Sequence, residues 1–335
     1  MAISASALAS EPLFGLPLAE LWFALLFAIF GMFLFLDGFD FGIGVLFATR
    51  EDAHEREQLL TAIGPFWDGN EVWLVVFGGA LFAAFPAVYA NLFSRYYLLM
   101  FAILAALGLR GLAPEMYEER TDSRWRRFWG AAFVVGSTVT PFLLGAFVLN
   151  WLVGSPGLAS PAGVVGGLAL VALTVADGAA FLGLKARGSL RDDASRDGIR
   201  AVVAYLVLVA AALAAVYATV PALRPSLLSP VVGALVGVTV LGTATYVVAT
   251  RRRRYYVAFA SVAVLVAALV SVVGVVMYPV ADRTTGLTVQ EAVVSTLPLN
   301  LMSIMAAVLL PIVLSYFGVL YSVFSGPIED GEAYG

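Results

Sequence analysis

The chain has no cysteine, one histidine and few charges: of 335 residues, 13% are Asp, Glu, Lys or Arg. Without cysteine it can form no disulfide, thiolate metal site or thiol nucleophile. The histidine, His54, lies in a polar stretch, so no imidazole is present in any long apolar run. Haem, copper and iron–sulfur centres favour histidine or cysteine ligands, which leaves only methionines such as Met32, Met100, Met302 and Met305 or a glutamate. No phosphate-binding loop is present, and no polar segment is long enough to hold a nucleotide-binding domain. A net charge of −4 gives no reason to expect a nucleic-acid partner. The opening residues lack a basic n-region, so no cleaved signal peptide is expected.

What the chain does have is apolar length. Hydrophobic residues make up 61% of it, whereas a soluble domain would carry about a quarter charged residues. The apolar runs fall at 18–48, 60–85, 93–114, 128–153, 161–186, 200–220, 229–250, 254–279 and 296–324. Each is long enough to cross a hydrocarbon layer of about 30 Å as a helix. The fold class expected is therefore an all-α polytopic membrane protein with about nine transmembrane helices. Most of the 19 basic residues gather in the loops after the first, third, fifth and seventh spans. These are Arg50 and Arg56; Arg120, Arg124, Arg126 and Arg127; Lys185, Arg187, Arg191, Arg196 and Arg200; and Arg251 to Arg254. The positive-inside rule places those loops in the cytoplasm, the N-terminus outside and the C-terminus inside.

The first and fifth spans share a weak similarity, Asp37-Gly38-Phe39-Asp40-Phe41-Gly42 against Asp177-Gly178-Ala179-Ala180-Phe181-Leu182-Gly183. Both run from outside to inside. A parallel repeat would divide the chain into a four-helix unit at 1–153, a second at 154–279, and a ninth helix with a cytoplasmic tail at 280–335. Coincidence between glycine-rich apolar segments is the competing explanation.

Charges inside the spans cost about 2.5–3.5 kcal/mol each on insertion scales, so their positions carry information. Asp37 and Asp40 lie three apart on the first span, and Asp68 and Glu71 have the same spacing on the second. At about 1.5 Å per residue both pairs, with Arg110 and Asp177, fall in the cytoplasmic half. One reading is a proton path: partly desolvated carboxyls hold protons and pass them through water to a buried site. Arg110 then balances charge, since an unpaired guanidinium at that depth is very unfavourable. The other reading is structural, with Asp37 or Asp40 capping a bent turn. Gly64-Pro65 would likewise start a helix near Trp67, making Asp68 and Glu71 partners of its dipole. Phe66, Trp67, Trp73, Phe77, Phe82 and Phe85 form either a groove for an isoprenoid tail or ordinary packing and interfacial anchors.

Two segments carry a resemblance. Leu36-Asp37-Gly38-Phe39-Asp40-Phe41-Gly42-Ile43-Gly44 resembles the DGFDxGxG signature of subunit II of cytochrome bd-type quinol oxidases. Pro65-Phe66-Trp67-Asp68-Gly69-Asn70-Glu71-Val72-Trp73-Leu74 is similar to that family's WDGNxVWL motif, and Gly78-Gly79-Ala80-Leu81-Phe82-Ala83-Ala84-Phe85-Pro86 follows as it does there. Arg110 in Leu109-Arg110-Gly111 and Gly136-Ser137 before Pro141 fit the same pattern, so the likeness runs over roughly residues 30–150. The resemblance implies a membrane complex that oxidises quinol outside and reduces dioxygen with cytoplasmic protons. It further implies a partner, subunit I, that carries the haems (b and d) and meets quinol, while this chain ligates no cofactor or metal and holds no catalytic residue. With Glu71, read above as part of the same path, joining them, a proton route through acids matching Asp37 or Asp40 and Asp68 follows from the family's proposals. So does a bound quinone, or a lipid, near Trp67, Glu71 and Trp73, although Glu71 stands where some members have glutamine. A stand-alone proton-coupled transporter and a purely scaffolding subunit are the other functions compatible with these residues.

Overall fold

The computed structural model describes residues 9–155, 157 and 160–328. The expected cytoplasmic tail past residue 328 lies outside them. The elements are α1 (Leu18–Phe47), α2 (Ala53–Ile63), α3 (Trp67–Ala84), α4 (Pro86–Arg95), α5 (Tyr97–Glu119), α6 (Ser123–Val153), α7 (Pro161–Lys185), α8 (Gly188–Thr219), α9 (Pro230–Arg251), α10 (Tyr255–Met277), a two-stranded antiparallel hairpin β1 (Val280–Asp282) and β2 (Leu287–Thr288), and α11 (Thr296–Val323). Among the described residues, eight helices are long and apolar enough to cross a membrane: α1, α5, α6, α7, α8, α9, α10 and α11.

The expected second span, 60–85, is broken. Proline has no amide hydrogen and restricts the residue before it, so the chain turns through Gly64, Pro65 and Phe66. The amphipathic α2 before the turn is capped by Asp52, whose carboxylate accepts from the amides of His54 and Glu55. The 18-residue α3 after it, diluted by Asp68 and Glu71, is the shorter apolar helix. The basic segment after the fifth span also differs from a loop. Arg191, Arg196 and Arg200 lie on the first turns of α8, where Arg196–Asp193 and Arg200–Asp197 pairs at helical spacing support the helix.

The basic segments meet one another on one face of the bundle. Arg50 Nη2 lies 3.0 Å from Asp197 Oδ2, Arg126 Nη1 lies 3.1 Å from Glu57 Oε1, and Arg253 Nη2 lies 3.4 Å from Asp192 Oδ1. The other face is closed by neutral contacts: Tyr96 Oη donates to Ser155 O, and Trp151 Nε1 to Ala281 O. Asp282 is the acceptor hub there, bonded by Thr284, Thr285 and Asn91. Burial alone would raise its carboxyl, but those hydrogen bonds outweigh it and hold the group below the usual carboxylate range. Its contribution is therefore complete above that range and lost as pH falls through the lower folded value. Asp282→Ala should cost about 1–2 kcal/mol, seen as a lower unfolding temperature at neutral pH that disappears in acid.

At the centre stands α1. Every residue from Leu36 to Gly44 is buried, as expected for a helix apolar on all sides. It packs on α3, α6, α7 and α10, while α7 packs on α6, α8, α10 and α1. α1 and α7 touch at glycines. A Cβ on Gly42 would lie 1.8 Å from Thr174 O, and one on Gly178 would lie 2.6 Å from Gly42 C. The outer surface is apolar, with Val75, Leu241, Phe128 and Leu104 exposed. α11 is the least embedded helix, none of its most apolar stretch being buried within the chain.

Candidate functional site

Where α1, α3, α5, α7 and α11 come together, ionisable side chains collect inside the bundle. α1 supplies Asp37 and Asp40, both with no solvent exposure. α5 supplies Arg110, 1% exposed. Its Nη2 pairs with Asp37 Oδ1 and lies 3.6 Å from Asp40 Oδ2, while its Nη1 lies 2.9 Å from Glu71 Oε2 on α3. The Phe41 ring lies 4.8 Å and the Trp67 ring 5.8 Å from the guanidinium carbon, so two aromatic faces hold the cation as well. One guanidinium thus gathers three carboxyls from two helices.

Asn70 completes the network. Fully buried on α3, it donates Nδ2 to Asp40 Oδ2 at 2.8 Å and accepts from Tyr321 Oη of α11 at 2.9 Å. Neither Asn70 nor Tyr321 was expected from sequence reasoning. The signal for Asn70 was present, because it begins the stripe Asn70, Trp73, Phe77, Leu81 and Ala84 that α3 buries. Tyr321 had no such signal, since its partner is 251 residues away.

The remaining expected residues are distributed differently. Asp68 lies in the first turn of α3 and is exposed, so it is not brought to the cluster. Glu71 has 32% of its side chain exposed and forms the edge of the network. Trp67 is half-buried beside Arg110. Trp73 faces inward, its ring 5.7 Å from that of Phe317. Phe66, Phe77 and Phe85 are buried and Phe82 is exposed, so these rings are mostly core.

Between the acids and the basic face lies a layer of aromatic rings. Phe39 stacks on Phe181 at 4.1 Å and Phe66 on Tyr321 at 4.7 Å, with Phe66 edge-on to Phe181 at 5.7 Å. Lys185 Nζ rests on this layer, 5.2 Å from the Phe66 ring and 5.9 Å from that of Phe181, and donates to Phe324 O. The straight route along α1 from the basic face is packed with rings. The cluster instead reaches the surface of the chain sideways, at Glu71.

Comparison with known proteins gives the family and the fold. The profile for cytochrome bd terminal oxidase subunit II matches residues 18–324. The chain belongs to that family. Over 212 residues it is 37% identical to the cytochrome bd ubiquinol oxidase subunit 2 of Bacillus subtilis (strain 168), a match covering 58% of this chain and 62% of the relative. Over 188 residues it is 35% identical to the cytochrome bd-I ubiquinol oxidase subunit 2 of Escherichia coli (strain K12), covering 51% of this chain and 49% of the relative. The matches thus span less than two thirds of these relatives' lengths. In fold, a chain from the structure of bd oxidase from Geobacillus thermodenitrificans superposes with a TM-score of 0.78 at 18% identity, covering 92% of this chain and 99% of that one. A cytochrome bd subunit II with eight long apolar helices is a multi-pass integral protein of the cell membrane.

Proposed function

We propose that this chain is the haem-free subunit II of a quinol:dioxygen oxidoreductase, supporting a haem-bearing subunit I and supplying it with cytoplasmic protons. The observation that carries this reading is the buried set Asp37, Asp40, Arg110 and Asn70, whose exposed edge is a carboxyl, Glu71. Asp68 lies on the same helix nearer its N-terminus, on the outward side. Protons collected at Asp68 and Glu71 are shared with Asp37 and Asp40 around the fixed Arg110 charge. The receiving face is the one bearing Val72, Val75 and Phe82 on α3, all exposed and apolar. The first four-helix unit, 1–153, presents this face, the second, 154–279, backs it, and the ninth helix, in 280–335, contributes Tyr321.

The donors present do not suit haem. His54 is on α2 at the basic face, and the described residues contain no group of three or more His, Cys, Asp or Glu arranged to hold a metal ion. The haems b and d and the quinol chemistry are assigned to the partner. A quinone or lipid headgroup at the outward side of α3 would meet Trp67 and Glu71, four residues apart. Trp73, packed inward, lies behind them.

In the purified complex, Asp68→Asn and Glu71→Gln should each lower quinol-driven oxygen consumption and coupled proton uptake by about tenfold or more, the scale of a lost proton-transfer group. Unchanged turnover and uptake in both variants would leave only the scaffolding role. A chain that purifies without a coloured, haem-bearing partner would instead be a transporter.

A further inference from the structure

Asp177 on α7 is fully buried and has no hydrogen-bond partner on either oxygen among the described residues. It lies opposite Gly38 of α1, where an added Cβ would stand 2.9 Å from Asp177 Oδ2. The missing side chain at Gly38 is therefore the notch that admits the carboxyl. The charged groups facing it are Asp40 from α1, with Tyr246 of α9 and Tyr321 of α11 within electrostatic range. On α10 the Phe259 ring packs, tilted, against Phe181 of α7, with centroids 5.8 Å apart. Among the described residues no cation pairs with Asp177, and Arg110 is taken up by Asp37, Asp40 and Glu71.

A carboxylate in this position would be an unpaired charge at zero exposure, so the group is carried as the neutral acid. An acid retained for structure alone donates its hydrogen to a fixed acceptor, such as a carbonyl one turn back. Asp177 has no such acceptor. Its acidic neighbour Asp40 likewise keeps one oxygen, Oδ1, without a partner, and so does Asp37 at Oδ2. Three buried acids thus keep unused oxygens, and two of them, Asp37 and Asp40, share the guanidinium of Arg110.

We propose that Asp177 is a proton reservoir for this cluster, exchanging its proton with Asp40 across the α1–α7 contact. In the transfer the O–H bond on Asp177 breaks and one forms on the Asp40 carboxylate. The reverse step refills Asp177, and no electron moves. The reservoir rests on the proton-delivery reading above. It extends the site into the second half of the chain, and the aromatic layer of Phe39, Phe66, Phe181 and Tyr321 shields it from the basic face.

The test is infrared spectroscopy of the purified complex in H2O and D2O, with turnover followed against pH, for wild type, Asp177→Asn and Asp177→Glu. Wild type should show a protonated-carboxyl band that shifts on deuteration, and Asp177→Asn should lack it. Asp177→Asn should also lose about tenfold in turnover, most at high pH where bulk protons are scarce, and Asp177→Glu should restore the rate with a displaced band. If Asp177→Asn does not assemble, a displaced, exchangeable band in Asp177→Glu supports the assignment and an unmoved band overturns it. Persistence of the band in Asp177→Asn, or an unchanged rate and pH profile, also overturns it. Slow turnover in Asp68→Asn together with a retained band in Asp177→Asn would remove the reservoir alone. Normal turnover in Asp68→Asn and Glu71→Gln would remove the delivery reading, and loss of the exchangeable band in Asp177→Asn would still show that Asp177 holds a proton.

Discussion

Replacing Arg110 by methionine is expected to abolish accumulation of the folded chain. The guanidinium is buried to 1% and pairs with Asp37, Asp40 and Glu71. Its removal leaves two wholly buried carboxyls without their cation. Breaking a buried ion pair by deleting one partner costs about 3–5 kcal/mol, a large fraction of the roughly 5–15 kcal/mol that typically separates native from unfolded protein. Methionine fills a similar volume, so the loss is electrostatic and not a cavity. That distinction can be tested by removing the charge on both sides. Arg110→Met combined with Asp37→Asn and Asp40→Asn should recover most of the stability, because an apolar or neutral replacement of a whole buried pair is often close to neutral. Thermal unfolding in detergent, with the amount of membrane-inserted chain, measures both. A stable single Arg110→Met variant would mean that the cluster is not held by its ion pairs. The recovered triple variant, stable yet slow in turnover, would separate the network's role in folding from its role in moving protons.

Much of this site could be read before the structure, and the omissions have physical causes. Spans with clean apolar runs, such as 161–186 and 296–324, are found as Pro161–Lys185 and Thr296–Val323. The second span begins near Trp67, the start that Gly64-Pro65 signals, and its run of 60–85 was set too long because hydropathy averages across that turn, where the backbone cannot continue as a helix. The spacing of Asp68 and Glu71 suggested a shared face. At about 100° per residue, however, Asp68 falls about 180° from the midline of the buried stripe that runs through Asn70, Trp73 and Phe77. Glu71 lies on its flank. The stripe, and not the acid spacing, decides which side chain enters the bundle. For α1 no such inference was available, since a helix buried on every side gives no preferred face. Contacts such as Asn70 with Tyr321 depend on helices at opposite ends of the chain. The basic segments were informative in a different way. They carry the expected orientation, and their mutual ion pairs, such as Arg50 with Asp197, place them on one face.

The contact between α1 and α7 carries the second large effect. Gly42→Ala adds one methyl group, which would lie 1.8 Å from Thr174 O and 2.9 Å from Gly178 N. Both are main-chain atoms, so no side-chain rotation can relieve the clash and the helix axes must separate. Overpacking a core by even one methylene costs about 1–3 kcal/mol and occasionally more, and a rigid backbone on both sides places this position at the upper end. Separation would also draw Gly38 away from Asp177 and widen the notch between them. Gly42→Ala should therefore lower the unfolding temperature sharply. Any complex that survives should show a weakened exchangeable carboxyl band. Gly237→Ala supplies the control: that glycine lies on α9 with nothing within 4 Å of its added Cβ. There alanine's greater helix propensity, about 0.5–1 kcal/mol over glycine, should leave stability unchanged or slightly raised. If the two alanine variants unfolded alike, the close approach of α1 and α7 would not be what unites the buried acids.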